Sequence, residues 1–314
     1  MKIAITGGTG FVGGHLARAL VAEGHEVLAV ARGVERRDQG LLRTPGVQFF
    51  ASDLSDPHQL AEGFAGCDGV AHCAGINREI AAQTYEHVHV QGTANVADAA
   101  ARARVKKLVL LSFLRARPHC GSAYHESKWA AEEIVRKSGL DYTVVKSGMI
   151  YGLGDHMLDH LSRLLCTMPF LATVGMQERA IRPLAIADLT MVLGAAFVGG
   201  QLSRKTIAIT GPEELLLSDA VRRVAGVLGK PVLVVPMPVG FHYALAILLE
   251  RIMTIPLASR AQVRILSEGV VEAAGPCDPL PADLAPRTFF TAETIRKGLP
   301  VLAPFGLRDL RCCV

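Results

Sequence analysis

The sequence is short of the features that usually give a function away. Charge of one sign is lacking: 33 Lys and Arg against 29 Asp and Glu leave a formal net charge of +4, and the basic residues are scattered. No nucleic-acid partner is therefore expected. Seven cysteines are present, but no CxxC pair and no metal-ligand spacing occurs among them, and the final "RCCV" is not a CaaX box. That pattern excludes a disulfide framework and a metal centre, and reads as free thiols in a reducing cytoplasm. His119, His125, His156 and His160 read as polar rim histidines rather than ligands. The start of the chain shows no signal-peptide pattern and enters a strand directly. Internal repeats and low-complexity segments are also missing. Long apolar runs are limited to Val232–Leu249, 18 residues without a formal charge. Pro236, Pro238 and Gly240 break that run into a short strand and a helix beginning near Val239, so no membrane span is expected. Peripheral membrane contact, or the wall of an apolar pocket, fits it better.

What is present is folded: half of the residues are hydrophobic and a fifth are charged. The first half alternates with great regularity. "KIAIT", "HEVLAVA", "VQFFAS", "GVAHCAG", "KLVLLS" and "DYTVVKS" read as strands apolar on both faces. Helical patterns at about Phe11–Glu23, His58–Ala65, Thr84–Ala103 and Tyr124–Ser138 separate them. Such strands belong in a parallel sheet covered on both sides, and right-handed crossovers make it doubly wound. The expected class is α/β, a Rossmann-type doubly wound parallel sheet over residues 1–150, with 181–209 returning to it. A smaller, mostly helical substrate region covers 151–314.

The turn after the first strand reads "TGGTGFVGG", with Gly7, Gly10 and Gly13 spaced G-x-x-G-x-x-G between a strand and a helix. Gly7 permits a sharp turn, Gly10 lets a pyrophosphate approach the backbone, and Gly13 lets helix and sheet pack closely. The helix N-terminus adds free N–H groups and positive potential for phosphates. At the end of the second strand, where an NAD site usually holds an acid, stand Ala31 and Arg32, with Arg36 and Arg37 following. Arg32 can pair with a 2′-phosphate, which favours NADP over NAD; a solvated basic loop is the plainer reading. Asp53 can accept from the adenine amino group, or simply initiate the next helix.

Tyr124 and Lys128 stand one turn apart on one helical face in "YHESK". An ammonium beside a phenol favours phenolate, so Tyr124 is expected to have a lowered pKa and to serve as a general acid or base. Ser112 ends the fifth strand, at the carboxyl edge of the sheet where ligands bind in such folds, and its hydroxyl can hold a reacting oxygen. Phe241, Leu245, Leu248 and Ile252 form an apolar stripe, read first as core and second as a wall against a lipophilic substrate.

"TGGTGFVG", "DLSD", "HCAG", "HVQGTANV" and the Y-x-x-x-K pair, in this order, resemble the short-chain dehydrogenase/reductase superfamily, in its extended or atypical branch. The group containing the nucleotide-binding accessory subunit of respiratory complex I is the most similar. The resemblance implies Tyr124 as acid/base, Lys128 as the residue that binds the nicotinamide ribose and tunes Tyr124, and Ser112 as the polarising hydroxyl. It implies cofactor contacts from Gly7, Thr9, Gly10, Phe11, Val12 and Gly13. Further contacts are implied from Arg32, Asp53 and Leu54, from Ala74 and Gly75, and from Lys128, Gly148 and Ile150. The chain departs from the family in places. His89 replaces an asparagine with a helix-bending and proton-relay role. Lys146-Ser147-Gly148 replaces R-P-G, and Ala185-Ile186-Ala187-Asp188 replaces H-V-D-D. Sugar-nucleotide enzymes place a diphosphate-binding Arg where Ile181 stands, and Arg182 is one step off, which on a strand reverses the face. Three functions follow. The first is an NADP(H)- or NAD(H)-dependent oxidoreductase acting on a secondary alcohol or carbonyl of an apolar small molecule. The second is a nucleotide-binding assembly protein. The third is a nucleotide-sugar epimerase or dehydratase, for which the acid expected near the tyrosine is missing at Ala123. The sequence sets neither the substrate nor the oligomeric state.

Overall fold

A computed structural model describes residues 1–33, 40–253, 256–301 and 303–306. The chain divides into two compact units. The first holds Met1–Ser147, Ile186–Ile209 and Ala273–Ala285, and the second holds Gly148–Ala185, Thr210–Glu272 and Pro286–Val314.

In the first unit, strands β1 (Lys2–Thr6), β2 (Glu26–Ala31), β3 (Val47–Ala51), β4 (Gly69–His72), β5 (Lys107–Phe113) and β6 (Asp141–Ser147) alternate with helices. These are α1 (Phe11–Ala22), α2 (Pro57–Phe64), α3 (Gly92–Arg102) and α4 (Ala123–Lys137). A further strand, Lys205–Ile209, joins beside β6 to give seven strands in the order Lys205–Ile209, β6, β5, β4, β1, β2, β3. Every pairing among them is parallel. β1 has β2 on one side and β4 on the other, so the strand order reverses there and a crevice opens at the carboxyl ends of the two strands. One face packs Ala4, Val30, Val70, Leu108 and Val144 against Leu60 and Phe64 of α2, Val96 and Ala100 of α3, and Ala131 and Val135 of α4. The helices α1 and Ile186–Ala195 pack together. This is the α/β sheet that the alternation implied.

Two details differ from the sequence reading. The expected helix Thr84–Ala103 begins with a π-helical turn, Glu86–Gln91, before α3. Within 181–209, Leu184–Ala185 pairs with Ile150–Tyr151 in the second unit, and Lys205–Ile209 is the strand that reaches the main sheet. The segment Ala273–Ala285, which holds Pro276, Pro279 and Pro281, also returns to the first unit, where Asp278 bridges Ile207 and the Ala274 N–H donates to the Leu114 carbonyl at 2.9 Å.

The second unit is built from helices His156–Thr167, Leu217–Leu228, Val239–Ile252, Arg260–Glu268 and Ala292–Gly298, with two-stranded ribbons between them. Its core gathers Tyr151, Leu158, Leu165, Val221, Val224 and Phe290. The apolar run Val232–Leu249 contributes the strand Leu233–Met237, paired with Phe170–Val174, and most of the helix Val239–Ile252. Among the described residues no helix is long and apolar enough to cross a membrane.

Candidate active site

The phosphate end is built by the β1–α1 turn. Gly7 has φ +68°, and a Cβ there would lie 2.8 Å from the Ala74 Cα, so the turns after β1 and β4 touch where the sheet reverses. A side chain is excluded on both counts. At Gly13 a Cβ would strike the carbonyl oxygen of Gly7, whereas at Gly8 it would meet Ala29 of β2 at 2.8 Å. The close approach to the sheet expected at Gly13 therefore falls on Gly8, and Gly13 packs under the turn itself. Gly10 caps α1 with no side-chain acceptor, and the first turn carries no acid. The leading N–H groups, from Phe11, Val12 and Gly13, are thus available to an anion. Thr9 is buried in the turn.

Past the ends of β2 and β3 lies a cavity of about 430 Å³ lined by Arg32, Ala51, Ser52, Asp53, Ser55, Asp56 and Gln59. Asp53 accepts from the Ser55 N–H at 2.8 Å and from the Ser55 hydroxyl, and these bonds hold its carboxyl below its usual pKa. Helix initiation, the alternative for Asp53, is performed by Asp56, which accepts from the His58 and Gln59 N–H groups at 2.8 and 3.2 Å. The Leu54 carbonyl accepts from Asn95 of α3 at 2.7 Å, fixing that turn. Arg36 and Arg37 lie outside the described residues.

The third cluster centres on His89, in the π-helical turn. Its Nε2 accepts from the Ile76 N–H at 3.1 Å, so its Nδ1 carries the proton and donates to the Ser127 Oγ at 2.9 Å. Ser127 in turn donates to the Tyr124 carbonyl at 3.0 Å. Burial drives the His89 pKa down to about 2, so the ring stays neutral. The imidazole stacks on Tyr85 with centroids 5.5 Å apart and meets the Tyr124 ring edgewise at 5.8 Å. A π-helical turn stands where the family's asparagine would, and the His89 side chain anchors it to the loop after β4. A Cβ on Gly75 would lie 3.1 Å from the Lys128 Nζ and 3.5 Å from the His89 Nε2. The Lys128 ammonium is therefore aimed at the loop after β4, and burial lowers it to about 8.

Two expectations need correction. Tyr124 is buried against Phe113, Tyr85 and His125 as well as His89, and desolvation pushes its pKa above the usual phenol value, with Tyr85 adding to the rise. The direction is opposite to the lowering anticipated from Lys128. Ser112 does not stand beside the phenol. Its Oγ donates to Glu132 at 2.6 Å, and Glu132 also takes Arg136 at 2.8 Å and Lys146 at 3.3 Å. Successive strand residues face opposite ways, so it is Phe113 whose ring lies 5.3 Å from that of Tyr124. The same one-step argument applies to Arg182, which points to Glu214 at 3.7 Å while Ile181 is buried. Gly148 and Ile150 belong to the second unit, where Ile150 pairs with Leu184.

An uncapped helix start beside a glycine turn, a charged cavity past β2 and a lysine against Gly75 together fit a nicotinamide dinucleotide. Residues 7–155 match a family described as NAD(P)H-binding. This part of the chain is an NAD(P)H-binding domain. The chain is similar to a ceramide reductase from Caulobacter vibrioides, 34% identical over 56% of this chain and 55% of the relative. It is also similar to the mitochondrial 40 kDa subunit of NADH-ubiquinone oxidoreductase from Neurospora crassa, 23% identical over 67% of this chain and 55% of that subunit. Among solved structures, a mutant of UDP-glucuronic acid 4-epimerase from Bacillus cereus, in complex with a fluorinated UDP-sugar and NAD, superposes with a TM-score of 0.73. The match covers 95% of this chain and 98% of that one at 16% identity, a likeness of fold. The chain spans between about a quarter and about half of the length of these and other curated relatives.

Proposed function

We propose that the chain is an NAD(P)H-dependent reductase of a carbonyl on an apolar small molecule, with NADPH the favoured coenzyme. One observation carries the reading: a buried, protonated phenol, Tyr124, sits one helical turn before an ammonium held against Gly75. The N–H groups of Phe11, Val12 and Gly13 hold the diphosphate, Arg32 and Asp53 the adenosine end, and Lys128 the ribose beside the nicotinamide. A bound nicotinamide supplies hydride. Tyr124, protonated at neutral pH, supplies the proton to the substrate oxygen. Phe113 and Tyr85 keep the phenol's surroundings apolar, as a lipophilic substrate requires. The buried Ile181 and the Arg182–Glu214 pair supply no diphosphate-binding guanidinium for a sugar nucleotide.

The test is purified full-length chain titrated with NADPH and NADH, then followed at the nicotinamide absorbance with long-chain, sterol-like and quinone-like carbonyls. Turnover should fall about 10²–10⁴-fold in Tyr124→Phe while coenzyme affinity changes little. A second reading, a nucleotide-binding assembly component, is favoured by one feature: the Ser112 hydroxyl, expected to polarise the substrate oxygen, is given to Glu132 instead. Tight coenzyme binding with no turnover on any carbonyl supports that reading instead.

A further inference from the structure

The helix Val239–Ile252 is inside out. Its buried positions are His242 and Ala246, and the His242 Nε2 lies 3.3 Å from the Ala172 carbonyl. Its solvent side carries Phe241, Ile247, Leu248 and Ile252, each 42–53% exposed. At 100° per residue, Phe241, Leu248 and Ile252 fall within a narrow arc, widened by Ala244 and Ile247. Arg251 is the one charge on that arc, because Glu250 turns to Arg260 at 2.9 Å. The preceding ribbon continues the pattern. Leu233 pairs with Phe170, and Val235 lies two residues on along the same face. All three are exposed, and Lys230, also exposed, precedes them.

We propose that this face of the second unit docks on an anionic lipid surface. Apolar side chains on one arc with only cationic companions are the pattern of a helix lying in a membrane interface. Lys230 and Arg251 are placed to snorkel to lipid phosphates. A second copy fits less well. Side chains of this kind carry roughly 150–250 Å² each, so the four of the helix and the three of the ribbon together offer of order 500–700 Å², below the ~800 Å² per partner of a stable interface. The absence of acid from the arc favours a lipid surface over a basic protein partner.

The experiment is sedimentation of the full chain with vesicles of phosphatidylcholine alone and of phosphatidylcholine with phosphatidylglycerol at 3:1. Wild type should sediment with the anionic vesicles. Phe241→Gln with Leu248→Gln should cut partitioning at least tenfold. Lys230→Glu with Arg251→Glu should cut it several-fold on anionic vesicles only, and Val198→Gln, an exposed residue of the first unit, should change nothing. Circular dichroism and the thermal midpoint show whether each variant is folded. Should the apolar variant not fold, hydrogen exchange on wild type decides, with protection expected to rise across 239–252 when anionic vesicles are added. Absence of sedimentation with either vesicle overturns the proposal, as does unchanged partitioning of the folded apolar variant. A dimer in analytical ultracentrifugation that Leu248→Gln dissociates, without lipid binding, assigns the face to a second copy instead.

Discussion

Helices α1 and Val239–Ile252 are of similar length and similarly apolar, yet they face opposite ways. α1 buries Gly13, Leu16, Ala17 and Leu20, so its composition matches its environment. Val239–Ile252 buries a histidine and an alanine and presents its large side chains outward. Apolar content alone therefore does not locate a core. α1 is fixed by a neighbouring sheet that needs covering, while the later helix rests on a ribbon of two strands that its inner side already covers.

A side chain added at a glycine of each helix should separate the two most clearly. Gly13→Val should abolish measurable NAD(P)H binding, a loss of at least 100-fold in fluorescence titration, because the new side chain meets the Gly7 carbonyl. Gly240→Ala, with open space around its Cβ, should leave that titration unchanged.

The next effect is on pH dependence at the coenzyme site. Burial lowers Lys128 to about 8, so the ammonium is present at neutral pH and lost as pH rises through that value. Coenzyme affinity should fall roughly tenfold per pH unit above about 8. Lys128→Arg, which keeps its charge, should remove that limb in an affinity-against-pH series. Arg32→Ala should weaken NADPH about tenfold more than NADH; equal losses in parallel titrations would remove Arg32 from coenzyme choice.

A smaller effect belongs to the second unit. Asp155 caps the helix His156–Thr167, accepting from the Gly152 and Leu158 N–H groups at 2.5 and 2.6 Å, yet burial raises its carboxyl to about 7. The folded state therefore favours the protonated form. The associated stability is complete below the unfolded pKa of about 4 and is lost as pH rises to about 7, a swing of roughly 2–4 kcal/mol. His160, lowered by burial to about 4, has the opposite slope between pH 4 and 6.5. The difference between wild type and Asp155→Asn in urea unfolding from pH 4 to 8 isolates the carboxyl, since Asn still caps.

The sheet was legible because its strands are apolar on both faces and short turns separate them; "DYTVVKS" spans β6, Asp141–Ser147, residue for residue. The glycine turn was legible because the backbone geometry it needs restricts residue type. Ser112 misled because a strand end shows which edge a residue occupies but not which face. The structure resolves that face by giving its hydroxyl to Glu132. The stripe Phe241, Leu245, Leu248 and Ile252 misled because helical periodicity marks one side without saying what covers it. The return of Ala273–Ala285 to the first unit rests on isolated backbone bonds, which leave no periodic trace. His89 stood out as a departure, but its neutral tautomer and its hold on Ile76 depend on contacts distant in sequence.

The π-helical turn at Glu86–Gln91 makes this segment a gauge of length. It carries one residue more than an ordinary helix would use to cover the same distance. Deleting one of the six would let the turn relax to regular winding while the residues on either side keep their register. The loss would fall on His89, whose hold on the Ile76 N–H depends on where the wide turn places it.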